Sequence, residues 1–184
     1  MSRTTPWFER ADRFEIDFCR KLNRLGHKRP LCAFFVAISK LGDGYYWYFL
    51  ILTMPLLYGL GALLPMALIS ASGAVTTLVY AGLKNHLARE RPFIASPHIK
   101  AHTAPLDRYS FPSGHTMNAV NFAILFSWFD PVYTLIVWPF TFLVALSRVV
   151  LGMHYPTDVL MGAVLASFMA CASIYAWTQW LPVS

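Results

Sequence analysis

Residues 44–83 read GYYWYFLILTMPLLYGLGALLPMALISASGAVTTLVYAGL and contain no charged side chain. A helix of a soluble protein must present a polar face to water, whereas a helix that crosses a bilayer needs about 20 mainly apolar residues. The stretch is long enough for two crossings, and Gly and Pro residues near its middle favour a turn. It therefore predicts a pair of membrane helices over residues 45–64 and 65–83.

The composition of the whole chain supports a membrane protein. Of its 184 residues, 57% are hydrophobic and 13% are charged, which is too few charges for a soluble domain and excludes a disordered or disulfide-rich secreted chain. Further runs without charge cover residues 109–129, 131–147 and 159–184. We predict a single all-α domain over residues 1–184, a polytopic membrane helical bundle with about six transmembrane helices. Their predicted ranges are 31–41, 45–64, 65–83, 115–129, 132–146 and 158–180.

The N-terminal segment, residues 1–30, carries eight basic and four acidic side chains. Phe14, Phe18, Leu22 and Leu25 recur at helical spacing, which predicts an amphipathic helix lying in the headgroup plane. The alternative is a solvated helix that packs on its own protein.

The orientation depends on residues 31–41, which are short for a crossing and end at the turn-like Gly42-Asp43-Gly44. If they cross, the basic N-terminus lies opposite the long polar segment at residues 84–113. The positive-inside rule then places the N-terminus in the cytoplasm and the polar segment at the periplasm or exterior. We predict that the membrane is a bacterial inner membrane. If residues 31–41 only re-enter, this conclusion reverses.

Three polar clusters are predicted to meet at one membrane surface. The chain leaves the bilayer at residue 83 and re-enters near residue 115, and a hairpin at Asp130-Pro131 returns it to the same face near residue 147. The clusters are Lys84 with Arg91, then Ser113 and Gly114 with His115, then Arg148 with His154 and Asp158. Between the first two, His86, Arg89 and Glu90 are predicted to face the headgroups.

Each of these residues alone has an ordinary explanation, as a helix-end anchor or an interfacial histidine. Together they are harder to explain in that way, because three neighbouring cations repel one another unless an anion joins them. A tetrahedral phosphate matches the guanidinium fork, and the amides at the start of a helix favour an anion. Pro112-Ser113-Gly114-His115 opens such a helix, although the same tetrapeptide also reads as a simple helix cap.

His154 and Asp158 are four residues apart, with a proline suited to a first helical turn between them. A carboxylate at this spacing can accept from one imidazole nitrogen and leave the other as a positioned nucleophile. Two histidines then suit phosphoryl transfer, since one attacks phosphorus and the other protonates the leaving oxygen.

Three motifs occur in order. Six residues separate Lys84 from Arg91-Pro92, and Pro112-Ser113-Gly114-His115 follows. Five residues then separate Ser147-Arg148 from His154, and three separate His154 from Asp158. This pattern, over residues 84–158, resembles the complete signature of the type 2 phosphatidic acid phosphatase (PAP2) superfamily.

The resemblance implies a metal-independent phosphatase that needs no cofactor. By it, His154 forms a phosphohistidine, Asp158 orients it, and His115 protonates the departing lipid oxygen and later helps to activate water. The phosphoryl oxygens would be held by Lys84, Arg91, Ser113, the Gly114 backbone and Arg148. The expected partners are a lipid phosphate substrate and the bilayer, with no nucleic acid and no obligatory protein partner.

Several substrates fit the resemblance. The chain is similar to small bacterial phosphatases that convert undecaprenyl pyrophosphate to undecaprenyl phosphate for cell-wall synthesis. Phosphatidylglycerophosphate, phosphatidic acid and lipid A phosphatases share the motifs and remain alternatives, while the charge-free spans argue against the related soluble vanadium haloperoxidases. A phosphate-binding transporter or scaffold without turnover is the alternative from another class. It would be favoured by loss of His154, His115 or Asp158, and all three are present.

Overall fold

The computed structural model describes residues 6–105 and 107–180, with the side chains of residues 15–84, 86–105 and 107–179. Within these residues the regular structure is helical and no strand occurs. The α-helices are α1 (Pro6–Asn23), α2 (Arg29–Lys40), α3 (Tyr46–Tyr58), α4 (Leu63–His86), α5 (Pro92–Ala95), α6 (Gly114–Phe129), α7 (Thr134–Val150) and α8 (Pro156–Trp180). The all-α prediction is confirmed.

Helix α6 lies at the centre of the bundle and packs against α4, α7 and α8. Its sequence is apolar on nearly every side, as expected for a helix that has neighbours all round. Met117, Ala123 and Phe126 are fully buried in it. The N-terminal end of α6, which carries Ser113-Gly114-His115, is therefore held rigidly in the middle of one end of the bundle.

Three helical segments are long and apolar enough to cross a bilayer: Leu60–Lys84, Pro131–Val150 and Pro156–Gln179. They contain α4, α7 and α8, and they support the prediction of an integral membrane protein.

Helices α2 and α3 form one kinked segment, whereas the sequence predicted two separate crossings over residues 31–64. They are joined by a single π-helical turn at Leu41–Tyr45, in which Gly44 has a φ of 144° that favours glycine. Phe35 of α2 packs with Val150 at the C-terminal end of α7. At the far end of α3, Tyr58 donates a hydrogen bond of 2.6 Å to Asp130, just before α7.

Helices α2 and α3 therefore run along α7 once, from end to end. Gly42-Asp43-Gly44 kinks the helix and does not reverse the chain, so the predicted separate crossing at residues 31–41 is not confirmed.

Helix α1 lies at the same end of the bundle as the polar segment, not at the opposite end as predicted. Asn23 donates hydrogen bonds to the carbonyls of Lys100 (2.9 Å) and Val150 (3.0 Å). Glu15 accepts a 2.7 Å bond from the amide of Thr157 at the start of α8. With α1 at this end of the bundle, the positive-inside rule no longer supports an outward-facing site.

One face of α1 packs on its own protein, where Cys19 is fully buried. Phe18 beside it is 51% exposed, as a side chain facing lipid would be. A helix is thus present where the periodicity predicted it, and its immersion in the headgroup plane stays a prediction.

Candidate active site

His154 lies in the turn between α7 and α8, where it is 1% exposed. Its Nδ1 is 3.6 Å from Asp158 Oδ2, and its Nε2 is 3.5 Å from Arg91 Nη1. The turn depends on Gly152, whose φ is 77° and where an added Cβ would lie 2.6 Å from the Lys100 carbonyl oxygen. The Nδ1 atom therefore faces a carboxylate, although it is buried without a hydrogen-bond partner among the described residues, and Nε2 faces a cation. The predicted hydrogen bond from the ring to Asp158 stays a prediction.

Burial lowers the pKa of His154 well below its usual 6.5, and the charges of nearby groups lower it further. Those groups are Arg91, Arg148, Lys84 and His115. A depressed pKa keeps the imidazole neutral and its nitrogen lone pair available for attack at neutral pH. The same interactions show that the side chains of all three predicted motifs surround one ring.

Three buried cations form one wall of the site: Lys84, Arg91 and Arg148 are 7%, 1% and 3% exposed. Arg91 donates a 2.9 Å bond to the Met153 carbonyl, and Arg148 Nη1 donates to Ser39 Oγ. Among the described residues, Arg148 Nε is buried without a hydrogen-bond partner. A buried donor in this state is costly, and a phosphoryl oxygen would satisfy it.

Asp107 bridges two of these cations and was missed by the sequence analysis. Its carboxylate lies 2.6 Å from Lys84 Nζ and 2.7 Å from Arg91 Nη2. Burial acts to raise the pKa of Asp107, but Lys84 and Arg91 outweigh it and the pKa is lowered. Asp107 follows no motif in the loop, so only the fold reveals it. Its position shows that the two cations are spaced to share one anion.

Ser113 and Gly114 begin α6 as predicted. Ser113 is fully buried and caps the helix, with its Oγ 2.9 Å from Thr116 Oγ1. A Cβ on Gly114 would lie 3.0 Å from the Tyr80 ring. The cap and the phosphate-binding interpretation are compatible here, because the hydroxyl satisfies the helix while the N-terminal amides are oriented toward this end of the bundle.

His115 Nε2 contacts Asp43 Oδ1. Asp43 comes from the kink between α2 and α3, and the sequence analysis assigned it only to a turn. No nearby motif points to it, so the contact is a product of the tertiary structure.

Asp158 is fully buried, and its Oδ1 lies 2.6 Å from Arg89 Nη1. Its Oδ2 accepts a 2.8 Å bond from the Tyr155 amide. Arg89 also contacts Glu15 of α1 at 2.7 Å, and its guanidinium is 3.9 Å from the centroid of the Tyr155 ring. The prediction that Arg89 faces the headgroups is therefore wrong, since Arg89 is fully buried beneath the site and helps to hold Asp158.

A groove leads from His115 into the apolar part of the bundle. A cavity of about 470 Å³ is lined by His115, Asp43 and Tyr80. It shares Asp43 and Asn118 with a second cavity of about 460 Å³ between α3 and α4, whose lining includes Trp47 and Phe122. The site therefore continues into a largely apolar space that could hold a lipid tail.

Known proteins resemble this chain in sequence. A model of the PAP2 superfamily matches residues 62–182. Over 97 residues the chain is 39% identical to decaprenylphosphoryl-5-phosphoribose phosphatase of Mycolicibacterium smegmatis, covering 50% of this chain and 51% of that protein. Over 83 residues it is 32% identical to lipid A 4'-phosphatase of Porphyromonas gingivalis, covering 42% and 35%. The chain thus spans about half or less of the length of these curated relatives.

Two crystal structures share the fold. Aquifex aeolicus LpxE superimposes with a TM-score of 0.75 at 24% identity, covering 88% of this chain and 95% of that one. A phosphatidylglycerolphosphate phosphatase from Bacillus subtilis, described as a transmembrane PAP2-type enzyme, gives a TM-score of 0.70 at 23% identity, covering 98% and 90%.

Proposed function

Because the chain belongs to the PAP2 superfamily, we propose that it is a metal-independent phosphatase of membrane lipid phosphates. The observation that carries the proposal is the position of His154, with Asp158 on one side of the ring and Arg91 on the other. That geometry supports a neutral imidazole that is oriented by a carboxylate and aimed at a phosphate bound to the cations.

The proposed reaction has two steps. His154 Nε2 attacks phosphorus, the bond to the lipid oxygen breaks, and His115 gives that oxygen a proton. Water then attacks the phosphohistidine, His115 takes up a proton from the water, and the bond between nitrogen and phosphorus breaks. Lipid alcohol, or lipid monophosphate from a pyrophosphate, is the first product, and inorganic phosphate is the second.

The remaining predicted residues hold the phosphoryl group in this proposal. Charge on its three equatorial oxygens is stabilised by cations and backbone amides, which can do so without a metal. The phosphate takes the place of the Asp107 carboxylate between Lys84 and Arg91, and it also meets Arg148 Nε, for which the described residues supply no hydrogen-bond partner. Ser113 and the Gly114 amide complete the set from the start of α6.

A lipid substrate is supported by the groove that joins His115 to the apolar space between α3 and α4. Among lipids we place undecaprenyl pyrophosphate first. The similarity to a phosphatase of decaprenylphosphoryl-5-phosphoribose supports a polyprenyl carrier. Lipid A and phosphatidylglycerophosphate are the next candidates, since relatives act on these, and phosphatidic acid follows.

The decisive experiment measures phosphate release by the purified protein in detergent containing EDTA. We expect release from lipid phosphates and much less from glycerol 3-phosphate, which lacks a tail for the groove. A panel of undecaprenyl pyrophosphate, phosphatidic acid, phosphatidylglycerophosphate and lipid A ranks the substrates. A strict magnesium requirement would contradict the metal-free mechanism. Phosphate binding without release from any lipid would favour the transporter or scaffold alternative.

The helices also predict the membrane topology. We infer five crossings, by α2 with α3, then α4, α6, α7 and α8, so that the two termini lie on opposite sides and the N-terminus shares the side of the active site. An N-terminal and a C-terminal epitope tag should therefore show opposite protease accessibility in spheroplasts. Equal accessibility of both tags would restore the six-crossing prediction. A bacterial plasma membrane stays a prediction, and the tag experiment also reports which side the site faces.

A further inference from the structure

We propose that Asp43 is a positioning residue for His115, which it orients for transfer of a proton to the leaving group and whose protonated form it stabilises. The inference rests on the proposed function and extends it to a residue outside the three motifs. The observation that carries it is the contact between Asp43 Oδ1 and His115 Nε2 at the mouth of the groove.

The kink between α2 and α3 holds Asp43 in place. The positive φ of Gly44 makes the local bend, and Gly42 packs so closely on α7 that a Cβ there would lie 2.9 Å from Val144. Asp43 therefore extends from a short turn that is fixed against the bundle. A carboxylate anchored in this way can orient an imidazole at little cost in side-chain entropy.

The charges around His115 explain why a carboxylate is needed there. Burial, Arg148 from α7 and Lys84 from α4 disfavour a positive charge on the ring, whereas Asp43 favours one. Tyr80 of α4 lies against the neighbouring Gly114, and His115 in turn contributes to the charge that acts on His154. Removal of the Asp43 carboxylate would leave burial and the cations unopposed by it, so the imidazolium that a general acid requires would be less stable.

The geometry also defines the hydrogen-bond roles. A carboxylate oxygen accepts, so the contact requires a proton on His115 Nε2. In this proposal the second proton of the imidazolium, on Nδ1, is the one that passes to the leaving oxygen. The side chains of Asp43 and His115 both line the cavity at the start of the groove. In the proposed mechanism the leaving oxygen of the lipid phosphate lies in this cavity. Asp43 stabilises the imidazolium before the first proton transfer, and again after His115 takes a proton from water.

The test is Asp43→Asn, which preserves the shape of the side chain and removes its charge. It compares farnesyl phosphate with farnesyl pyrophosphate, two substrates with the same tail. The first must expel an alkoxide that requires a proton, while the second expels a phosphate monoester that leaves readily without one. We expect kcat/KM, which reports the first step and not the shared attack by water, to fall by about 10–100-fold for the monophosphate and by less than about 3-fold for the pyrophosphate.

A second readout is the pH profile of kcat for the monophosphate. Loss of the carboxylate destabilises the imidazolium, so the alkaline limb should move to lower pH. Inhibition by vanadate should not change, because the cations that bind a phosphate are untouched. Asp130→Asn is the matched control, since Asp130 lies at the other end of the bundle and its contacts are with Tyr58 and the Val132 amide.

An equal loss of kcat/KM with both farnesyl substrates, or an alkaline limb that does not move, would overturn the role of Asp43. The proposed function would still stand in that case, provided that the wild-type protein is active. If Asp43→Asn fails to fold, Asp43→Ser is to be compared in the same way. If the farnesyl pair is not turned over, phosphatidic acid and diacylglycerol pyrophosphate form an equivalent pair. A wild-type protein inactive on every lipid phosphate would instead contradict the proposed function.

Discussion

His154→Ala is expected to abolish phosphate release, with a loss of at least about 10⁴-fold in kcat. In the proposed mechanism this ring forms the bond to phosphorus, and it lies between Asp158 and Arg91. Such a loss corresponds to about 5.5 kcal/mol of transition-state stabilisation. The measurement is phosphate release in EDTA with the best lipid substrate of the panel.

The matched control is His98→Ala, because His98 is an exposed histidine in the same polar segment. We expect it to retain wild-type activity. His154→Ala should also retain a cooperative thermal transition in detergent and measurable vanadate binding, since the cations remain in place. Turnover near the wild-type rate in the alanine variant would falsify the assignment of His154 as the nucleophile.

Arg148→Lys is expected to lower kcat/KM by about 10²–10³-fold, or roughly 2.7–4 kcal/mol. Lysine keeps the positive charge but lacks the planar fork. It also lacks an equivalent of Nε, the buried donor that has no partner among the described residues. If the charge alone mattered, this substitution would be nearly neutral. Steady-state kinetics with the lipid substrate and inhibition by vanadate both measure the effect.

Arg108→Lys supplies the control for the same chemical change, because Arg108 is exposed on the loop. Its kinetics should match those of the wild type. The thermal midpoint of Arg148→Lys separates a binding defect from a folding defect. An unchanged kcat/KM with intact vanadate inhibition would contradict a role for the guanidinium in holding the phosphoryl group.

The sequence was sufficient for those features whose signal is local. Long uncharged runs predicted membrane helices, because the cost of burying charge in lipid is visible residue by residue. The spacing between His154 and Asp158 predicted two side chains on adjacent turns, and they lie 3.6 Å apart. The order of the motifs along alternating helices predicted that Lys84, Arg91, His115 and Arg148 surround one site, and the structure brings them together.

The tertiary structure decided the features that depend on contacts between distant parts of the chain. Asp43 meets His115, Asp107 bridges Lys84 and Arg91, and Arg89 turns inward to hold Asp158. Asp43, Asp107 and Arg89 lie outside the positions that the motifs assign to the site, so only the packed arrangement of helices shows which charged group or imidazole each one meets.

The same distinction explains the error in topology. Gly42-Asp43-Gly44 has the composition of a turn, and composition alone does not distinguish a chain reversal from a kink in a continuing helix. The packing of α2 and α3 along α7 selects the kink. Local chemistry thus predicted which residues can act on a phosphate, while long-range packing determined which carboxylates tune them and on which end of the bundle the N-terminus lies.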